Sequence, residues 1–597
     1  MAESHQYYTA KSKEFRAEQK KLEKQSFHMY LMRLFSFVGF IASIILFVYT
    51  EYNYWYLSGA IALLFSFLSI VQWDFRLSRI RKLVANKALI VENELKYLNH
   101  QYNEFDGGDE FSAKNPHLAG DFDLFGNGSL YQYLNRCVTR QGSENLANDL
   151  SFPCKDAKKI ADRQKSISEI SEKPDFITNF RANGLIDDNK NDDFEGFSRW
   201  LNEPYENIKT LRVISIVYPL IFMAWLILVI TGLFPAGSMS IPIVAAFSII
   251  VFYMKKINKA HAKLAKSGEM FKRYATLIKL IENETFESEL LAGLQNRLKN
   301  GNQKASEVVS SLYKLIDRFD LRSNLVVSII FNMSFLFDLH IYYQLYRWNR
   351  KHSAVVSDWF NVLSEIDALI SFSVFAYNNS NEVMYPQISS NEFIFEAVEM
   401  GHPLIPVSTR INNDVRFGGN PMVVVVTGAN MACKSSFLRT MAVNLIMAMN
   451  GAPVCARKFL FKPCDIMSSI NIRDSLSQKA SYFYAELVRI KAIIDHVSKH
   501  PDTIVILDEI LRGTNTKDKQ AGSLGLLEKL ISMNSVVIVA THDLLIGELD
   551  KKYPQFVINH CFEVELENDQ LVFDYKLKNG ISQKLNASFL MKKMGII

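Results

Sequence analysis

Apolar positions along the chain fall into two patterns. The first half concentrates them in four uninterrupted runs, at about 34–50, 55–73, 213–234 and 239–254. The last third breaks them into short β-branched runs, at 423–426, 504–507 and 536–539, alternating with helical periodicity. Each long run approaches the roughly 20 residues a helix needs to cross hydrocarbon. The runs come in two pairs joined by short turns, Glu51-Tyr52-Asn53-Tyr54 and Pro235-Ala236-Gly237-Ser238, neither carrying Lys or Arg. The outer flanks are basic: Arg33, then Arg76, Arg79, Arg81 and Lys82, and around the second pair Lys209, Arg212, Lys255, Lys256 and Lys259. Trp55 and Trp73 stand at interfacial positions. This predicts two transmembrane hairpins, four spanning helices in all. Both termini and the large segments then face the cytoplasm. Four buried helices of a soluble core fit the basic flanks less well. A fifth run at 325–337 contains Asn332 and runs into Asp338 and His340, so it reads as a buried core helix.

Between the runs the texture is helical. Residues 84–104 read as a charged amphipathic helix, 105–121 as a Gly-, Asp- and Pro-bearing loop, and 123–172 as helices with Leu130, Leu134, Leu146 and Ile160 inward. The stretch 257–377 predicts extended helices rather than compact packing. Beyond about 400, strands alternating with helices predict an α/β sheet of mostly parallel strands. The expected divisions are 1–83 (N-terminal segment and first hairpin), 84–208 (helical core), 209–256 (second hairpin), 257–395 (long helices) and 396–597 (α/β domain).

Composition adds little. The net charge of +5 over 597 residues neither demands nor excludes nucleic acid. Six cysteines, none in a CxxC pair, read as free thiols. The polar, Lys-rich first 25 residues do not read as a cleavable signal peptide.

The candidate chemistry lies in the last third. After the strand at 423–426 comes Thr427-Gly428-Ala429-Asn430-Met431-Ala432-Cys433-Lys434-Ser435-Ser436. It follows the phosphate-loop pattern G-x-x-x-x-G-K-[ST] between strand and helix, except that Cys433 replaces the second glycine. Amides at the helix start would cradle phosphates, Lys434 would reach the β- and γ-phosphates, and Ser435 would ligate Mg²⁺. The run at 503–507 ends in Asp508-Glu509, an acid for Mg²⁺ beside a candidate general base. The run at 536–540 ends in Thr541-His542-Asp543, where His542 could sense the γ-phosphate. Singly, each is more often a polar strand end; together, at the carboxyl ends of parallel strands, they outline a nucleotide site.

These motifs resemble the MutS family. Gly428 to Ser436, with Asn430-Met431 inside, resembles that family's loop. The segment Asp508-Glu509-Ile510-Leu511-Arg512-Gly513-Thr514 resembles its acidic strand and turn, and Ala540-Thr541-His542 its switch strand. Asp474, Ser481-Tyr482-Phe483 and Glu486 are similar to its intervening segment; Gly401-His402-Pro403 and Asn413-Asp414 to its lead-in near adenine. Leu130, Leu134, Asn135, Thr139, Gly142, Leu146, Pro153, Ile160, Arg163 and Gln164 resemble its helical core. Beside the hairpins read from the apolar runs, the resemblance implies a helical core and lever region and a C-terminal α/β P-loop NTPase domain of the ABC type, so the expected fold is a multidomain chain with transmembrane hairpins. It implies ATP and Mg²⁺ as cofactors and a homodimer with composite sites, where Ser481 meets the neighbour's γ-phosphate. It also implies nucleotide contacts from Gly428, Ala429, Asn430, Met431, Ala432, Cys433, Lys434, Ser435, Ser436, His402 and Pro403. Ser435 and Asp508 are then metal ligands, and Glu509, His542 and Lys434 catalytic groups.

The pattern departs from the family's in the first third, where a hairpin stands in place of a mismatch-reading domain. DNA contact would rest on Lys272, Arg273, Arg297, Lys299 and Lys304, which read more simply as a solvated helix face. The leading expectation is a membrane-anchored MutS-like ATPase contacting lipid and possible DNA. An ABC-like transport ATPase and a non-hydrolysing scaffold are the alternatives. The transporter lacks intramembrane charges and a Leu-Ser-Gly-Gly-Gln stretch, and the scaffold is suggested by Ala432 and Cys433.

Overall fold

The computed structural model describes the chain except residues 1, 187–193, 204–207, 266, 391–392, 421, 429–432, 472–481, 568–569 and 583–597. The first apolar run is the end of a 48-residue helix, α1 (Ala2–Tyr49), and the second opens a 45-residue helix, α2 (Tyr54–Leu98). Asn53 caps α2, its side chain accepting from Trp55 N at 3.1 Å. Beyond the apolar runs the two helices continue as an antiparallel pair. Tyr8, Phe15, Leu22 and Met29, seven residues apart, interlock with Leu77, Val84, Ala88 and Val91. That spacing is the seam of a coiled coil. Arg16 clamps Glu92 with two 2.6 Å bonds along its flank.

The second pair of runs forms α3 (Ile208–Ile230) and α4 (Ser240–Leu264). In all four helices the most apolar stretch is 6–17% buried inside the protein, so among the described residues little covers these surfaces. A fifth helix long and apolar enough to span is a different case, because 89% of its apolar window is buried.

The run at 325–337 departs from expectation. It forms α5 (Leu325–Phe335), but Val326, Ile329, Ile330, Phe331 and Phe335 are exposed, so it is no buried core helix. Leu336, at φ 49°, makes a corner into α6 (Phe337–Asn378), which is the buried fifth helix. The stretch 257–377 also corrects the expectation of extended helices. Apart from α5 and α6, its helices Gly268–Asn283, Glu289–Arg297 and Ala305–Asp320 are short and pack into one core with α6.

Among the described residues the last third holds ten strands: β1 (Gln387–Ile388), β2 (Phe395–Met400), β3 (Asn413–Phe417), β4 (Val423–Gly428), β5 (Lys458–Phe461), β6 (Asp465–Ser469), β7 (Thr503–Asp508), β8 (Val536–Thr541), β9 (Val557–Glu567) and β10 (Gln570–Asn579). One sheet runs β10-β9-β4-β8-β7-β6, parallel throughout except for edge strand β10. The other runs β1-β5-β2-β3. Alternate residues of the central strands serve two cores, as a twofold period requires. Val424, Val426, Ile504, Ile506 and Ile538 face the helical core and α7 (Lys434–Met449). Val423, Val425, Val505, Leu507 and Val537 face α8 (Tyr482–Val497) and α9 (Thr516–Ser532). Burial on both faces explains why these strands read as unbroken apolar runs.

The helical core is pinned by buried charge. Glu94 of α2 accepts from Arg136 Nε (2.7 Å), Arg181 Nη1 (2.7 Å) and Asn378 Nδ2 (2.9 Å), and Tyr8 Oη donates to Asn378 Oδ1 (2.8 Å).

Candidate nucleotide site

The ends of β4, β7 and β8 lie side by side, with Thr427 registered against Thr541 and Ala540 against Asp508. This register brings residues far apart in sequence to one edge. Ser435, in the first turn of α7, donates its hydroxyl to Asp508 Oδ2 at 2.5 Å. Lys434 is buried and donates Nζ to Gly428 O at 2.8 Å. His542 Nδ1 lies 3.3 Å from Glu509 Oε1. Gly428, Lys434, Ser435, Asp508, Glu509 and His542 thus converge as the sequence predicts. Ala429, Asn430, Met431 and Ala432, and likewise Asp474 and Ser481, fall outside the described residues.

Cys433 is the residue before α7, at φ 56°, ψ 21°, and its side chain makes no capping hydrogen bond. The backbone here holds the left-handed conformation that glycine favours, so the missing glycine is a strain and not merely a spelling change. Burial pushes the Cys433 thiol up from its ordinary value. Burial also lowers the Lys434 ammonium, opposed by Glu509 and Asp508. The Asp508 carboxyl is raised, by burial first, against the Ser435 hydrogen bond and Arg512. Desolvation favours the neutral form of each group, which is why the acid rises and the base falls.

Beside the loop lies a cavity of about 180 Å³ lined by His402, Ile405, Cys433, Ser436, Phe437 and Tyr575, among others. Its apolar and aromatic lining suits a flat heterocycle. His402 accepts from Leu404 N through Nδ1 at 3.2 Å, and burial, with Arg439 and Arg410 nearby, pushes it down to about 4. Pro403 is buried and does not line the cavity.

Three partners carry no role in the sequence reading. Arg512 reaches both acids, with Nη2 3.5 Å from Asp508 and Nε 3.5 Å from Glu509. Its spacing of three and four residues from them was the available signal. Lys519 Nζ stands 3.5 Å from His542 Nε2, for which the sequence offers no cue. Glu486 receives the N–H groups of Leu511 (2.5 Å) and Arg512 (3.1 Å), fixing the turn after β7. A Cβ on Gly513 would come 2.8 Å from that of Phe483, so the turn needs glycine for close approach.

A divalent cation fits this chemistry. Ser435 and Asp508 supply one hydroxyl and one carboxylate, and buried Asp508 Oδ1 has no protein hydrogen-bond partner. Among the described residues no cluster of three or more His, Cys, Asp or Glu could hold a metal. One or two protein ligands, completed by water and phosphate, is the Mg²⁺ habit.

The five basic residues offered for DNA do not form one free face: Arg273 is buried at 5% exposure, Lys272 pairs with Glu269 (3.1 Å) and Arg297 with Asp358, while Lys299 and Lys304 are exposed and face each other across a two-residue strand pair.

Fold and site together define a multidomain protein, mostly helical, whose C-terminal α/β domain gathers a lysine, two acids, a serine and a histidine at its strand ends. Two family models match it: MutS domain III over residues 115–373, which spans the second hairpin, and MutS domain V over 424–592. The chain belongs to the MutS family. It is similar to the DNA mismatch repair protein MutS of Thermotoga maritima, 29% identical over 252 residues, covering 41% of this chain and 31% of that protein. The Thermotoga neapolitana protein of the same name is 29% identical over 240 residues, covering 39% of this chain and 29% of that protein. The chain thus spans about a third of the length of the curated relatives it matches.

Proposed function

We propose that the protein is a membrane-anchored MutS-like ATPase that binds Mg·ATP, hydrolyses it, and switches as a dimer. The observation that carries this is the 2.5 Å Ser435–Asp508 contact, with Lys434, Glu509 and His542 gathered on the same strand ends. Amides at the start of α7 receive phosphate oxygens. The Lys434 ammonium moves from Gly428 O to the β- and γ-phosphates. Ser435 and Asp508 hold Mg²⁺, which neutralises charge on the phosphates when bound. Glu509 takes the proton of a water attacking the γ-phosphorus as ADP departs, and His542 orients that carboxylate. His402 and Phe437 flank the base.

Dimerisation is supported by α8, which starts beside Ser481 and exposes Tyr484, Leu487 and Val488. Membrane anchoring is supported by the exposed apolar lengths of α1–α4 and their basic flanks. The relatives' name carries the DNA reading, held here to contact with the phosphate backbone. One observation favours a second reading: strained Cys433 suits slow turnover, as in a nucleotide-dependent scaffold.

The test is phosphate release by the full chain in nanodiscs, with and without duplex DNA across salt. Release abolished in Glu509→Gln with Mg·ATP binding retained is the expected result. Binding without release in the native chain selects the scaffold, and no Mg·ATP binding removes both readings. DNA stimulation that fades with salt marks phosphate contact, and none at any salt ends that part.

A further inference from the structure

α5 carries an apolar surface that the four long runs leave unexplained. It packs on both α3 and α4. Tyr218 of α3 ties the three together, its hydroxyl lying 2.7 Å from Met333 O of α5 and 2.9 Å from Pro242 O of α4. The Phe222 and Phe335 rings lie 6.4 Å apart. The apolar faces of α3, α4 and α5 are therefore continuous.

The polarity of α5 is inverted relative to a helix of a water-soluble protein. Its polar groups turn inward: Asn332 is 4% exposed, donates to Ser328 Oγ (3.1 Å), and accepts from Asp338 N (2.9 Å). Asp338 just past the helix is buried and pairs with Arg322 just before it (3.4 Å). Its outward face is Val326, Ile329, Ile330, Phe331 and Phe335, with no charge among them. Ionisable groups turned inward and paired, with bare aliphatic and aromatic groups outside, is how a helix faces lipid. Eleven residues extend about 16 Å, half of a hydrocarbon layer of about 30 Å. At the corner that ends it both backbone groups of Leu336 are paired: Leu336 N donates to Asn332 O (3.0 Å), and Leu336 O accepts from His340 N (2.9 Å). A chain reversal at membrane depth needs that internal satisfaction.

We propose that α5 is a re-entrant half-span, seated between the arms of the second hairpin with Val326, Ile329, Ile330, Phe331 and Phe335 against lipid acyl chains. It rests on the reading of α3 and α4 as membrane-spanning. It makes the lipid contact part of one continuous unit with α6, the helix around which the core is packed.

The test is photocrosslinking. Benzoylphenylalanine is placed at Ile330, and separately at Val326, of the full chain in phosphatidylcholine nanodiscs. Ile227 on α3 is the spanning reference and Leu545 on the α/β domain the aqueous one. The expected result is a lipid adduct at Ile330 or Val326 in yield comparable to Ile227 and several-fold above Leu545. A lipid adduct at Ile227 with only background at both α5 positions overturns the half-span and leaves the hairpin standing. A crosslink from α5 to a second copy overturns it in favour of a protein interface. Background yield at Ile227 as well removes the hairpin reading, and this proposal with it.

Discussion

Cys433 offers the sharpest quantitative test of the loop geometry. It sits at φ 56°, ψ 21° as the residue before α7, without a capping hydrogen bond. A side chain in that conformation costs roughly 1–2 kcal/mol relative to glycine. Glycine gives back roughly 0.4–1 kcal/mol through a more flexible unfolded chain. Cys433→Gly should therefore stabilise the α/β domain by about 0.5–1 kcal/mol. For a unit of about 200 residues that is a rise in Tm of roughly 1–4 °C. Cys433→Ala is the comparator, because it removes the thiol and keeps the Cβ at positive φ. The assay is thermal unfolding of the full chain in detergent, following the transition that Mg·ATP shifts, since a multidomain chain has no single unfolding free energy. Turnover should rise with Gly and not with Ala if strain limits the loop. Gly and Ala variants that melt together, or a Gly variant that melts lower, would refute the strain argument.

Ser435→Ala removes the hydroxyl that bonds Asp508, and should weaken the Mg²⁺ dependence of ATP binding about tenfold while nucleotide binding in EDTA is unchanged; equal losses in both conditions would sink the metal role. His402 is held neutral with its pKa at about 4, below its unfolded value, so the folded state binds fewer protons between those two values. Its stability is complete above about 6.5 and is lost as pH falls towards 4; His402→Gln should flatten that part of the pH–Tm curve, and an unchanged slope would contradict it. Glu94→Ala strands Arg136 and Arg181 in the core and should cost about 3–5 kcal/mol, read by chemical denaturation against Arg16→Ala, whose half-exposed ion pair should cost under about 1 kcal/mol. Burial works to raise Glu94, yet the two arginines hold it below its ordinary value, so its contribution is present at neutral pH and lost only as pH falls through that lowered value.

Residues whose chemistry fixes their place were legible. Lys434, Ser435, Asp508, Glu509 and His542 each stand at or just past a strand end or in the first turn of a helix, places that the local sequence pattern marks without help from distant partners. What escaped was set by partners distant in sequence. The run at 325–337 read as core because its length suited a core helix, but its surroundings are α3 and α4, and length says nothing of neighbours. Arg273 read as solvated because charge usually is, yet the packing of its helix buries it. The heptad of Tyr8, Phe15, Leu22 and Met29 was present in the sequence, hidden among lysines and glutamates that dominate a composition but not a seam.

That seam changes how the two ends of the molecule relate. α1 and α2 are unbroken from their apolar ends to the buried cluster of Glu94, Arg136, Arg181, Asn378 and Tyr8, and α6 ends in the same cluster. An ion cluster of this kind adds little stability over apolar packing, but it tolerates no sliding, because a shift of one turn strands every charge in it. The cluster therefore fixes the register of α1, α2 and α6 as one body. On the membrane reading, the first hairpin enters this body through α1 and α2, and the second through α5 and α6. Arg163 then joins it to the α/β domain, with Nε donating to Asn450 O (2.9 Å) just after α7 and Nη2 to Asp149 (2.5 Å) in the core. The α/β domain is therefore tied by an arginine, at the residue that follows α7, to the same body into which the apolar helices run.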